Sequence, residues 1–251
     1  KKDDLRLAKG GWGILQRNLD RIIGLTMNML AFSRQRRVEL ELTRLAPIFD
    51  ECAQLMQTVA STKHVAIIVD VDPEMPPVAV DPSLIHQAVI NLITNAVEAV
   101  EPETGAVTLR AMYHPKNETG TANQRTAAGA PVSQTPSPPT FLQGRSTVEI
   151  VVTDNGPGIP QSKQGWIFQP FNTTKGAKGT GLGLAVAQRV AEEHGGYIRL
   201  ESGEGMGASF RMVIPADLTA MTDPSATAAN KQSMHPHPEG PGLAGESVRP
   251  R

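Results

Sequence analysis

Between Thr153 and Ala185 the chain carries two glycine-rich turns, Asp154-Asn155-Gly156-Pro157-Gly158-Ile159-Pro160 and Gly179-Thr180-Gly181-Leu182-Gly183-Leu184-Ala185. Glycine is needed where backbone must pass close to a ligand or take a positive φ. A glycine turn that opens a helix also aims free N–H groups and the positive end of the helix dipole at an anion, most often a phosphate. The second turn has that form, because it leads straight into a helical pattern ending at His194-Gly195-Gly196. Taken singly, such a turn is more often a plain tight turn. Upstream, Leu84, Ala88, Asn91, Asn95 and Glu98 recur at spacings of three and four, which sets two amides along one side of a helix. Amide carbonyl oxygens suit a hard cation bridged to phosphates. Two asparagines facing solvent would give the same spacing.

These groups need elements to hold them. Val148 to Val152 is alternating and β-branched, so it reads as a strand that delivers Asp154 at its end. Residues 84–100 read as a helix, with Asp81 placed to cap it and Pro82 suited to its first turn. Pro47 to about Thr62 reads as an amphipathic helix with Ile48, Cys52, Leu55, Met56 and Val59 inward. His64 to Val71 and Gly105 to Met112 read as strands. The order helix, strand, helix, strand, strand, helix, strand, strand predicts an α+β fold, a two-layer α/β sandwich with helices on one face of a mixed sheet.

The asparagine-bearing helix, DNGPGIP, Ile167-Phe168-Gln169-Pro170-Phe171 and GTGLGLA occur in an order that resembles the ATP-binding domain of sensor histidine kinases. That superfamily also holds DNA gyrase, the Hsp90 chaperones and MutL. The resemblance covers about residues 47–215, and Phe171-Asn172-Thr173-Thr174-Lys175 is most similar to kinases of the nitrogen-regulation type. It implies the Bergerat-type sandwich, with ATP and Mg²⁺ as cofactors. By resemblance, Asp154 accepts the adenine amino proton, Gly156 and Gly158 let the backbone pass the base, and Ile159 walls the pocket. Asn95 is the implied Mg²⁺ ligand, assisted by Asn91. Thr174, Gly179, Thr180, Gly181, Leu182, Gly183 and Leu184 form the implied phosphate segment. Lys175 adds a mobile positive charge there, unless it is an ordinary solvated lysine. Asn95 and Lys175 are the implied catalytic residues.

Two departures within the resemblance refine it. The gyrase and Hsp90 branch hydrolyses ATP with a glutamate one helical turn before the magnesium asparagine, where it activates water. Asn91 stands at that position, and Glu98, on the other side of Asn95, is a poor substitute. The expectation is phosphoryl transfer to a histidine with slow turnover of water. An ATPase of the gyrase or Hsp90 kind, and a nucleotide-gated interaction module without catalysis, are the competing readings. Ala208 stands where the family usually has a threonine beside the adenine-reading aspartate, and Ser209 next to it points to the opposite face of a strand. Modest nucleotide affinity is therefore expected.

Composition bounds the rest. A hydrophobic content of 39% over 251 residues supports a real core. A net charge of −1 argues against a polyanion binder, so no direct nucleic-acid partner is expected. Residues 1–44 hold ten Lys/Arg against five Asp/Glu, as solvated helix faces often do. Within them, Leu15, Leu19, Ile22, Thr26, Met29 and Ser33 form a stripe from about Trp12 to Arg37. This stretch resembles the second helix of the dimerisation and phosphotransfer hairpin, which implies a homodimer through that bundle and a response regulator receiver domain as partner. None of the six histidines sits in a first hairpin helix, so the phosphoacceptor is expected outside this sequence, and the start at Lys1 suggests a fragment. Cys52 is alone, which excludes an intrachain disulfide. With no run of 18 apolar residues, no membrane segment is expected and a cytoplasmic location is. Residues 113–145 and 216–251 hold ten of the twenty prolines, and are expected to be a disordered insertion and a disordered tail flanking a 45–215 catalytic domain.

Overall fold

The strand expected before Asp154 forms over Thr147–Asp154 (β5) and is the centre of a five-stranded sheet. The computed structural model describes residues 12, 38–116, 142–174 and 179–217. Ala106–His114 (β4) and Ala208–Pro215 (β7) flank β5, both antiparallel, and put Val107 and Ala208 opposite Asp154. Ala66–Val71 (β2) runs parallel to β4, and Tyr197–Ser202 (β6) antiparallel to β7. The order is β2-β4-β5-β7-β6, a mixed sheet as the sequence predicts. Alternation decides its faces: Val148, Ile150 and Val152 are fully buried beneath the helices.

Those helices are Leu45–Thr62 (α1), Pro82–Ala99 (α2) and Gly183–Glu193 (α4), with a short turn of helix at Gln161–Gln164 (α3) leading to a 3₁₀ turn at Trp166–Phe168. Asp81 caps α2 through Oδ1, which accepts from the N–H groups of Ser83 (3.1 Å) and Leu84 (3.2 Å). Pro82 occupies the first turn, where its missing N–H costs nothing. A Schellman motif ends α4: Gly195 takes φ +73°, its N–H donates to Glu192 O (2.9 Å), and Gly196 N–H donates to Ala191 O (2.8 Å).

The inward face expected for α1 needs correction. On α1, Ile48, Cys52 and Met56 are inward, but Leu55 and Val59 are 57% and 45% exposed, and Leu45, Phe49 and Ala60 take the buried places. The helix packs on β2, an edge strand, so its flank beyond that edge has no sheet beneath it. A second sheet, Glu41–Thr43 (β1) against Val78–Val80 (β3), has strands of three residues, too short for any alternation to register. Cys52 is a buried small hydrophobe whose thiol is pushed up to about 12, by burial first and by the charge of Glu51 second.

The expected bundle helix, apart from exposed Trp12, and residues 117–141 and 218–251 lie outside the described residues. At the edges of those stretches the chain is built into the fold. Tyr113 and His114 extend β4, Leu142 is buried, and Arg145 pairs with Asp217 at 3.0 Å. Among the described residues no helix is long and apolar enough to cross a membrane.

The helix-free face of the sheet is laced by charge. Glu149, 7% exposed, accepts from Arg199 and Arg211, each at 3.2 Å, and faces His114 Nε2 at 3.5 Å. Burial alone would raise its carboxyl; the hydrogen bonds of His114 and Arg211 and the charges of Arg211 and Arg199 outweigh that and hold it at about 2. Because the unfolded carboxyl titrates near 4.5, the unfolded chain takes up the proton first as pH falls. Glu149 therefore stabilises the fold fully above pH 4.5 and loses about 3 kcal/mol of that contribution between pH 4.5 and 2. Urea titrations should show this acid limb in the unmodified chain and a flatter one in Glu149→Gln.

Candidate functional site

The ends of β5, α2 and α4 meet around one cavity of about 590 Å³, within the usual range for small-molecule sites. From α2 come Asn91, Thr94, Asn95 and Glu98, while Ala88 on the same expected side is fully buried and Leu84 does not line the cavity. Asp154 enters from the end of β5, and Gly158 and Ile159 from the turn after it. Thr174, Gly179, Thr180, Gly181, Gly183 and Leu184 close the other side. Two expected site residues do not line it. Leu182 is fully buried in the core, and Gly156 sits behind Asp154, to whose Oδ1 its N–H donates at 2.9 Å. Lys175 lies outside the described residues.

Asp154 is 6% exposed, and burial raises its carboxyl above the ordinary range, opposed by backbone hydrogen bonds from Gly156 and Ala208. Its turn is locked from both sides. Asn155 Oδ1 accepts from Ala106 N–H (2.8 Å) while Asn155 Nδ2 donates to Thr104 O (2.9 Å). Ser202 Oγ accepts from Ile159 N–H (2.8 Å) and donates to Gly207 O (2.6 Å), tying the first glycine turn to the loop between β6 and β7. Gly158, at φ +75°, lies so close that an added Cβ would stand 1.8 Å from Gly203 O. The roles of Ser202, Gly203 and Gly207 were invisible in the sequence, because partners some 50 residues apart leave no local signal.

The second glycine turn is shaped by contact with the phenylalanine segment. Phe171 N–H donates to Gly181 O (2.9 Å), and Gly181 takes φ +67° where an added Cβ would meet Phe171 C at 2.4 Å. Beyond it α4 begins at Gly183 without a side-chain cap, which leaves its first N–H groups and the helix dipole directed to the cavity. An added Cβ at Gly183 would lie 3.5 Å from Asn95 Nδ2 and 3.7 Å from Asn91 Cβ, so both amides face the start of α4.

This arrangement fits a phosphate-bridged cation. Asn91 Nδ2 is buried without a hydrogen-bond partner, a donor left for an acceptor such as a phosphate or water oxygen, while a cation would take amide oxygen. Among the described residues no cluster of three or more His, Cys, Asp or Glu could hold a metal. Cation ligands at this site would come from amide oxygen, water and the phosphates themselves. Ala208 lines the cavity and brings no hydroxyl, while Ser209 is on the opposite face, bonded to Thr153 Oγ1 at 3.0 Å, as strand alternation requires. Beside Ile159 the apolar wall includes Trp166, Ile167 and Phe210, which sequence reasoning did not assign to the site; Phe210 stacks edge-on against Phe168 at 6.2 Å.

Known proteins are similar to this chain in sequence and fold. The chain is 31% identical over 202 residues to the signal transduction histidine-protein kinase AtoS of Escherichia coli K12, covering 80% of this chain and 28% of AtoS. It is 30% identical to the sensory histidine kinase/phosphatase NtrB of Rhizobium leguminosarum bv. phaseoli, over 84% of this chain and 50% of NtrB. It thus spans half or less of these two curated relatives. The fold is also that of full-length ShkA, solved in complex with AMPPNP, with a TM-score of 0.61 and 24% identity over 81% of this chain and 37% of ShkA. Residues 80–218, more than half of the sequence, match the family model described as histidine kinase-, DNA gyrase B- and HSP90-like ATPase. The motifs, the cavity they surround and this match agree: the chain belongs to the histidine kinase-, DNA gyrase B- and HSP90-like ATPase family.

Proposed function

We propose that this chain is the ATP-binding catalytic part of a two-component sensor histidine kinase. The observation that carries the reading is the convergence of Asp154, the Asn91–Asn95 face of α2 and the uncapped start of α4 on one cavity. Asp154 reads the adenine amino group, Gly158 and Ile159 wall the base, and Gly179, Gly181 and Gly183 with the first turn of α4 hold the phosphates. Asn95, assisted by Asn91, holds Mg²⁺, which when bound neutralises charge on the phosphate oxygens. Lys175 supplies further positive charge beside them. An imidazole nitrogen of a histidine on another segment attacks the γ-phosphorus. The bond to the ADP oxygen breaks with its electron pair, and the imidazole proton passes to solvent.

The choice of kinase over ATPase rests on Asn91, an amide in the place where a glutamate would activate water. A phosphoryl group on the histidine then passes to an aspartate on a response regulator receiver domain. The complete hairpin would form a homodimer on the cytoplasmic side of the parent protein. Mixing this chain with a fragment carrying a first hairpin helix and labelled ATP tests the reading. Acid-labile label on the fragment's histidine, with water turned over far more slowly than once per second, is expected. Nucleotide binding without label would favour the interaction module, and several hydrolytic turnovers per second would favour the ATPase.

A further inference from the structure

His194 closes α4 at the end opposite to Gly183 and is 4% exposed. Its Nδ1 lies 2.8 Å from Val190 O, and Asp81 N–H points at its Nε2 from 3.0 Å. A carbonyl can only accept and an amide N–H can only donate, so Nδ1 carries the proton and Nε2 is the acceptor. Burial lowers the ring's tendency to protonate, consistent with this neutral form. The bond crosses 113 residues of sequence and joins the end of α4 to the residue that caps α2. The same Asp81 receives Glu39 N–H on Oδ2 (3.2 Å), where the N-terminal segment joins the domain next to β1.

The two helices pack on each other and run antiparallel, since the start of α4 lies by Asn91 and Asn95 and its end by Asp81. At one end Gly183 faces Asn91 and Asn95; at the other, about 16 Å along α4, His194 holds the start of α2. A slip of α2 along α4 would carry both asparagines away from the phosphate turn, and the His194–Asp81 bond opposes that slip directly. Asp154 is held by β5 between β4 and β7, so the sheet places the base-reading carboxyl, with Ala99 at the end of α2 standing beside Gly156.

We infer that His194 is a positioning residue for the phosphate end of the nucleotide site, fixing the register of the asparagine helix against the phosphate-binding helix. This rests on the nucleotide reading proposed above. Exchanges that mimic each ring nitrogen separate its roles. His194→Asn keeps an amide donor for Val190 O but is too short to accept from Asp81 N–H. His194→Gln places an oxygen near the position of Nε2. His194→Met fills the space without an acceptor. Mg²⁺-ATP and adenosine are titrated calorimetrically into the full chain and each variant.

Asn and Met variants should bind Mg²⁺-ATP about tenfold more weakly, with adenosine affinity within about twofold of the unmodified chain. The Gln variant should recover most of the loss. The inference is overturned if folded Asn and Met variants keep the unmodified ratio of ATP to adenosine affinity, whatever their melting temperatures. It is equally overturned if both fail to fold while the Gln variant folds, since the bond would then serve stability alone. Absence of ATP binding by the unmodified chain would instead reject the nucleotide reading.

Discussion

Asp154→Asn should bind Mg²⁺-ATP about 10- to 150-fold more weakly than the unmodified chain, the worth of one hydrogen bond to a charged group. It should do so without melting at a lower temperature. The carboxyl is 6% exposed and burial raises its pKa, so its ionised form is disfavoured in the folded chain relative to the unfolded one. Above the carboxylate range that mismatch subtracts from stability, and a neutral amide removes it. The Oδ1 of asparagine still accepts from Gly156 N–H, which preserves the turn. Affinity of the unmodified chain should decline on acidification at a pH above the ordinary aspartate range, as the raised carboxyl takes up its proton. That decline should vanish in the variant. Loss of binding accompanied by a large drop in melting temperature would mean that Asp154 serves the fold and not the ligand.

The second large effect is expected at Gly158. A side chain there meets two penalties that cannot be relaxed separately. At φ +75° a Cβ costs about 1–2 kcal/mol of left-handed strain. Placed 1.8 Å from Gly203 O, it also forces the backbone of the β6–β7 loop to move, which adds about 1–3 kcal/mol. Gly158→Ala should therefore lose about 3 kcal/mol and most of its nucleotide affinity, because the displaced turn walls the cavity. Gly144→Ala is the control, since Gly144 has φ +74° but nothing within 4 Å of an added Cβ. It should lose only the strain. Equal midpoints for the two variants in urea would show that the contact with Gly203 carries no weight.

How far the sequence announces this site depends on the range over which each signal acts. Asp81-Pro82, the β-branched run before Asp154 and the glycines opening α4 are local, and the structure uses each of them as its neighbours suggest. The amide face of α2 is also local, because helical spacing alone places Asn91 and Asn95 together. Leu55 and Val59 mislead because periodicity says which residues share a side of α1, not how far the sheet extends beneath it. Leu182 misleads for a related reason. Within a glycine-rich turn neighbouring residues point different ways, and Leu182 went into the core while Leu184 lines the cavity. The bond from Ile159 N–H to Ser202 that locks the first glycine turn, and the bond between His194 and Asp81, join residues dozens of positions apart, and no spacing rule reaches that far.

The central claim is that one cavity reads adenine through Asp154 and triphosphate through the start of α4. Parallel calorimetric titrations of Mg²⁺-ATP and Mg²⁺-GTP into the unmodified chain test it most directly, because guanine offers a carbonyl oxygen where adenine offers an amino group. Saturable one-to-one binding of ATP is expected, with GTP at least about tenfold weaker as the buried acceptor loses its donor. Equal affinities for the two nucleotides, or no heat from either, would contradict it.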